Sequence, residues 1–112
     1  LDWPHRVAGV GAPLDWSTAS TWTFEPLDEA AFPAVGLAKQ VGTAGATFPA
    51  VFNAANEQAV HAFHDAKLGY LEILDTVRAV VDRHEPHEMT LESVLEAERW
   101  ARAEADALIG AR

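Results

Sequence analysis

The sequence predicts an all-α fold: a small four-helix bundle preceded by an irregular arm with one or two short strands. From residue 32 onward, apolar residues recur at spacings of three and four, which is the periodicity of amphipathic helices. Glycine and proline divide this region into four helical segments. The first 31 residues instead hold three of the four tryptophans and three of the six prolines, which no long helix accommodates. We therefore expect a linker arm over residues 1–31 and a helical domain over residues 32–112.

Composition excludes several classes of function. Apolar residues make up 49% of the 112 residues, which is enough to build the core of one domain. The 17 acidic and 8 basic side chains give a formal charge of −9, and this field repels a phosphate backbone, so we expect no nucleic-acid partner. The sequence contains no run of about 18 apolar residues, so we expect no membrane span. The lack of cysteine excludes disulfides, thiolate catalysis and cysteine-ligated zinc, and it fits a cytosolic protein.

The arm is rich in aromatic side chains. The stretch "STWTFEPLD" has the aromatic and β-branched bias of a short strand at residues 21–25. We expect Trp3, Trp16 and Trp22 to cover the helices that follow; the alternative is that some of them face a neighbouring domain outside this sequence. Because the chain starts at Leu1 without the features of a signal peptide, we also interpret it as part of a longer protein.

Start and stop signals place the four helices. Proline favours a first helical turn, glycine ends a helix, and threonine is a good N-cap. The predicted helices run from Pro33 to a Gly42–Gly45 breaker, from Pro49 to about Ala66, from Tyr70 to "EPHEMT", and from an N-cap at Thr90 to Gly110. The predicted inner face of the third helix holds Tyr70, Ile73, Leu74, Val77, Val80, Val81 and His84, and that of the fourth holds Leu91, Val94, Leu95, Ala101, Ala105, Leu108 and Ile109.

The second helix carries an unusual set of polar residues in "PAVFNAANEQAVHAF". At 100° per residue its core face is predicted to comprise Phe52, Ala55, Ala59 and Phe63, and the opposite face Asn53, Glu57, His61 and His64. Asn56 lies between the two faces and is predicted to be partly buried. A partly buried amide needs hydrogen-bond partners, so we interpret the asparagines as ties to the backbone of the arm or of an adjacent loop.

Few residues indicate chemistry. His61 and His64, with Glu57 one turn earlier, have a spacing that could hold a metal, but the pattern lacks the HExxH order and is interpreted as a solvated face. No phosphate-binding glycine loop precedes a helix, and no nucleophile elbow is present. Glu98 is expected to pair with Arg102 or with a backbone amide of the arm. We therefore predict no catalytic, cofactor-binding or metal-ligating residue in this chain.

Several motifs nevertheless resemble one enzyme family. The stretches "PLDW", "WTFEPLD", "FPAVGLAK", "PAVFNAANEQAVHAF" and "VLEAERWAR" follow each other as in the C-terminal part of 1-deoxy-D-xylulose 5-phosphate reductoisomerases. The most specific piece is "NAANE" at residues 53–57, and "FEPLD" followed by "FP" is a second, independent match. The resemblance extends over essentially the whole chain.

The resemblance implies a supporting C-terminal domain of a cytoplasmic enzyme. Members of the family use NADPH and a divalent metal, magnesium or manganese, to make 2-C-methyl-D-erythritol 4-phosphate for isoprenoid precursors, and they act as homodimers. Their nucleotide-binding and central catalytic domains precede the segment that this chain resembles, and these domains would be its partners. None of the family's catalytic residues corresponds to a position in this chain. The alternative is a free-standing helical protein-interaction module.

Overall fold

The computed structural model describes residue 5, residues 7–9 and residues 11–111 of the chain. It contains α1 (Ala34–Ala44), α2 (Phe48–His64), α3 (Tyr70–Arg83) and α4 (Leu91–Gly110). The all-α prediction with four helices is confirmed. In the part of the chain that is described, no residue lies in a strand, so residues 21–25 are irregular and the predicted short strand is wrong there. No described helix combines the length and the apolar character needed to cross a bilayer.

Helix α2 lies at the centre of the bundle. It packs most extensively against α4 and α3 and to a smaller extent against α1, whereas α3 and α4 contact each other less. The buried side chains of α2 and α4 are small, since all of them except Val51 are alanines. The buried apolar side chains are Leu37, Val41, Val51, Ala54, Ala55, Ala59, Ala62, Leu68, Val77, Val80, Val81, Ala97, Ala101 and Ala105.

Most predicted helix boundaries agree with the structure. Pro49 lies in the first turn of α2, and the Thr90 hydroxyl caps α4 by accepting a hydrogen bond from the Ser93 backbone at 3.1 Å. At the start of α3, the Glu72 carboxylate accepts from the Gly69 backbone at 2.7 Å. The predicted breaker in α1 is partly wrong, because the helix continues through Gly42. It ends at Ala44, and the φ of 65° at the following residue, Gly45, favours glycine.

Helix α2 ends in a Schellman motif, two residues before the predicted end. The backbone N–H of Lys67 donates to the Ala62 carbonyl at 2.8 Å, and that of Ala66 donates to the Phe63 carbonyl at 3.0 Å. This geometry places Ala66 in the left-handed region at φ 57°, a position that glycine usually occupies. The turn leads the chain back to Leu68, which is buried.

Parts of the predicted inner faces are wrong. The exposed large side chains include four that we placed on those faces, Phe63, Tyr70, Leu91 and Leu95. The buried side of α2 is centred instead on Val51, Ala55 and Ala59, because neighbouring helices cover this helix on more than one flank. On α4, Leu91 and Leu95 lie roughly 80° and 120° around the helix from the fully buried Ala101, outside the contact with α2.

The described part of the arm does not cover the helices. Residues 11–32 are exposed throughout, with Trp16 79% and Trp22 63% exposed. Side-chain hydrogen bonds in this segment are local: Asp15 accepts from Ser17, and Asp28 accepts from the backbone of residues 30 and 31. The expectation that the indoles pack on the bundle is therefore wrong for Trp16 and Trp22, and Trp3 lies outside the described residues.

Candidate functional site

A polar network joins the outer flank of α2 to α4. The Arg102 guanidinium donates from Nη2 to Glu57 Oε2 at 2.6 Å and from Nη1 to Gln58 Oε1 at 3.3 Å. The Gln58 amide in turn donates to Asp106 Oδ1 at 2.8 Å. The expected pair between Glu98 and Arg102 is therefore wrong. Arg102 lies on the α2 side of α4 and there meets an acceptor on the neighbouring helix.

The two asparagines of "NAANE" make no such bond. Asn53 is exposed and Asn56 is half-buried, as the helical wheel predicts for Asn56. Neither side chain hydrogen-bonds to any residue that the structure describes, so the interpretation as ties to the arm is wrong within those residues. The exposed arm leaves them no partner there. Asn53 is thus an exposed polar side chain on α2, and Asn56 is a half-buried one.

A second cluster surrounds His84, the residue that follows α3. Its Nε2 lies 2.7 Å from the Thr47 hydroxyl oxygen. The Phe48 ring stands at 90° to the imidazole with 5.1 Å between centroids, and the Trp100 indole lies against it at 5.3 Å. The start of α2, the end of α3 and the middle of α4 thus meet at one half-buried histidine.

The loop after His84 is bound to the same hydroxyl. The His87 backbone N–H donates to Thr47 Oγ1 at 3.2 Å, and Thr47 is completely buried. Burial lowers the pKa of the His84 imidazole below its ordinary value, and the nearby His87 lowers it further, whereas Glu85 acts in the opposite direction. The environment of His84 therefore favours the neutral ring.

From spacing alone, His84 and His87 have no supporting partners. The structure corrects this, because Thr47 lies 37 and 40 residues before them in the chain and contacts both. The Trp100 indole packs on His84 and on the core, and it is half-buried.

An open depression of about 270 Å³ lies beside the cluster. The side chains around it are Arg83, His84, Glu85, His87, Glu96, Ala97 and Trp100. Arg83 is already ion-paired with Glu104 of α4. No nucleophile with an adjacent base lines the depression, so its residues do not form a catalytic arrangement for group transfer.

The described residues do not bring together a donor set for a metal ion. Among the described residues, no group of three or more His, Cys, Asp or Glu side chains could hold a metal ion. His61 and His64 are exposed near the end of α2, and Glu57, the third member of the possible clip, is bound by Arg102. Within the described part of the chain, these three side chains therefore do not form a metal-binding group.

Comparisons with known proteins agree on one family. A family model described as "DXP reductoisomerase C-terminal domain" matches residues 1–104. The chain is 66% identical over 111 residues to 1-deoxy-D-xylulose 5-phosphate reductoisomerase of Leifsonia xyli, with 98% of this chain and 31% of the relative covered. It is 58% identical over 106 residues to the enzyme of the same name from Pseudarthrobacter chlorophenolicus, with 94% and 27% covered. The chain thus spans about 30% of the length of these relatives.

A solved structure gives the same result. The structure of 1-deoxy-D-xylulose 5-phosphate reductoisomerase from Zymomonas mobilis in complex with NADPH aligns with a TM-score of 0.79 at 39% identity. The alignment covers 96% of this chain and 29% of the Zymomonas chain. Sequence and fold therefore agree: the chain belongs to the DXP reductoisomerase family and corresponds to the C-terminal domain of its members.

Proposed function

We propose that this chain is the non-catalytic C-terminal domain of an NADPH-dependent 1-deoxy-D-xylulose 5-phosphate reductoisomerase. The whole enzyme would work in the cytoplasm as a metal-requiring homodimer and would make 2-C-methyl-D-erythritol 4-phosphate for isoprenoid precursors. The observation that carries the proposal is the match of residues 1–104 to the C-terminal domain of this family. In relatives of that name, about 70% of the chain lies outside the matched segment.

The supporting role rests on what the side chains of this domain are able to do. The acidic groups with assigned partners serve packing: Glu57 and Glu104 pair with arginines across helices, and Glu72 caps a helix. Histidine is the usual general base, but the Nε2 atom of His84 is hydrogen-bonded to Thr47, and its ring packs against Phe48 and Trp100. Binding of NADPH and of the divalent metal is therefore assigned to the parts of the enzyme outside this domain.

The arm supplies the contact to those parts. It presents Trp16, Trp22 and Phe24 at exposures of 79%, 63% and 84%, although large indoles and phenyl rings gain most from burial. The Zymomonas alignment covers 96% of this chain, so it includes most of the arm within a protein that continues well beyond it. We propose that these rings pack against the catalytic region of the same enzyme.

A domain exchange tests the proposal. The matching segment of the Leifsonia xyli enzyme is replaced by this chain, which is 66% identical to it. We expect the chimera to oxidise NADPH with 1-deoxy-D-xylulose 5-phosphate and Mn²⁺ at a kcat/KM within about tenfold of the parent enzyme. The 112-residue chain alone and the parent enzyme without this segment serve as controls, and both should be inactive. Turnover by the chain alone, or a folded but inactive chimera, would contradict the proposal.

A further inference from the structure

We propose that the contact between Thr47 and His84 is a pH-sensitive latch: the neutral imidazole holds the α3–α4 loop, residues 84–90, against the start of α2, and its protonation releases that loop. The inference concerns this domain alone and does not depend on the proposed function.

The latch depends on how one hydroxyl group is shared. Thr47 Oγ1 accepts a hydrogen bond from the His87 backbone N–H and lies 2.7 Å from His84 Nε2. A hydroxyl has one proton to donate. If His84 is neutral with its proton on Nδ1, the Thr47 hydroxyl donates to Nε2 and accepts from the His87 backbone N–H, so the hydroxyl proton, Nε2 and the His87 amide each have a partner. We assign this tautomer from the hydrogen-bond pattern.

Protonation of His84 removes that arrangement. With both ring nitrogens protonated, Nε2 becomes a donor, and the Thr47 hydroxyl proton has no other acceptor among the described residues. Thr47 is completely buried, so water does not replace the missing acceptor. The lowered pKa of His84 agrees with this cost, because the folded chain resists the charged ring.

The surroundings provide a place for the charged ring. The groups from α2 that face His84 are Thr47 and Phe48, both uncharged. On the side of the depression, the charged and titratable neighbours are Arg83, which Glu104 pairs, together with Glu85, His87 and Glu96. On the opposite side, Asp82 and the uncharged Gln40 of α1 line a second depression. Carboxylates thus line both depressions beside His84, whereas an imidazolium that stays on Thr47 faces the His87 ring at 6.4 Å.

Protonation of His84 is expected to affect only the loop between α3 and α4. The His87 amide is bound only through Thr47 among the described residues, so loss of the latch frees the chain between α3 and α4. The α2–α3 contact is more extensive than the α3–α4 contact and does not require this hydroxyl. Acidification is therefore expected to open the loop while the remaining helices stay folded.

Nuclear magnetic resonance of the ¹⁵N-labelled 112-residue chain tests the latch. At about pH 8 we expect the imidazole signature of an unprotonated Nε2 on His84. The protection factor of the His87 amide, corrected for the intrinsic exchange rate, should fall about tenfold or more as His84 becomes protonated. The Lys67 amide, at the opposite end of α2, is the internal control and should keep its protection.

Two variants separate the latch from general destabilisation. Thr47→Val keeps the shape of the side chain but removes the hydroxyl, so the His87 amide should lose its protection at every pH. Thr47→Ser keeps the hydroxyl and should restore the pH dependence. If Thr47→Val does not fold, His84→Gln replaces it, and its His87 protection should no longer vary with pH. An Nε2-protonated His84 at pH 8, or a His87 amide indifferent to His84 protonation, would overturn the proposal.

Discussion

Arg102 in α4 donates a hydrogen bond to Glu57 in α2, with 2.6 Å between Nη2 and Oε2. The second guanidinium nitrogen reaches the neighbouring Gln58. The glutamate of the "NAANE" stretch thus has a structural role, since it binds the Arg102 guanidinium of α4, the helix with the most extensive contact to α2. The bond is partly open to solvent, with side-chain exposures of 36% for Arg102 and 46% for Glu57.

Replacing Arg102 by methionine is expected to lower the free energy of unfolding by about 0.5–1 kcal/mol, because solvent-exposed ion pairs contribute little. Arg99→Met is the matched control, since Arg99 is exposed and makes no ion pair within the described part of the chain. Urea denaturation of Arg102→Met, Glu57→Gln and the double variant gives the coupling energy. A coupling energy of zero would mean that the pair does not hold in solution.

The helices themselves could be predicted because their signals are local. Pro49, Thr90 and Gly69 act on the backbone within one turn, and the apolar periodicity marks each helix without reference to the others. The side of each helix that becomes buried depends on its neighbours. Phe63 and Leu91 therefore lie exposed although their spacing fits an inner face.

The contact between Thr47 and His84 could not be predicted either, because it also depends on how the helices pack. Thr47 and His84 are 37 residues apart, and no spacing rule joins a residue before one helix to a residue after the next. The best available signal was His84 itself, a histidine at the end of an apolar stripe. The absence of hydrogen bonds at Asn53 and Asn56 within the described residues was equally unpredictable, since it depends on residues 11–32, which lie exposed and do not pack on the bundle.

Substitution of Ala66 by glycine is expected to stabilise the chain. Ala66 has a φ of 57° in the Schellman motif after α2, where an L-residue with a Cβ is strained by roughly 1 kcal/mol. Because glycine also gains freedom in the unfolded chain, we expect a net increase of about 0.5 kcal/mol in the free energy of unfolding. Ala103→Gly, at an exposed position inside α4, should instead lower it by about 1 kcal/mol. Thermal denaturation compares the two, and a loss in both variants would refute the strain argument.

Enlarging a side chain between α2 and α4 is expected to destabilise the bundle. Ala101 of α4 is fully buried, as are Ala55 and Ala59 of α2, and these two helices share the most extensive contact of the bundle. Ala101→Leu forces the helices apart or the side chain off its rotamer, at a cost of about 1–3 kcal/mol. Ala103→Leu, two residues further and exposed, should change stability by less than about 0.5 kcal/mol. Similar urea midpoints for the two variants would argue against close packing of these helices.

The stability of the chain should depend on the charge of His84. Its pKa is lowered in the folded state, so the unfolded chain binds more protons between that lowered value and the ordinary one. The free energy of unfolding therefore has its full value at pH above the ordinary histidine pKa, and it decreases as the pH falls through this window. Asp15 and Asp65 also have lowered pKa values, but carboxyl groups titrate at more acidic pH. Denaturation curves from about pH 8 to 5 should show this slope in the natural chain and a smaller one in His84→Gln. An equal slope in both would assign the effect to other groups.

The last prediction contrasts two tryptophans. Trp100 packs on His84 and on the core, so Trp100→Ala should lower the free energy of unfolding of the 112-residue chain by about 2 kcal/mol, less than for a fully buried indole. Trp22 is 63% exposed in the arm, and Trp22→Ala should change the same quantity by less than about 0.5 kcal/mol. In the chimera with the Leifsonia xyli enzyme the order should change, because the arm would there be covered by the catalytic region. Trp22→Ala is then expected to lower its melting temperature, and an indole that is dispensable in both proteins would show that the arm makes no such contact.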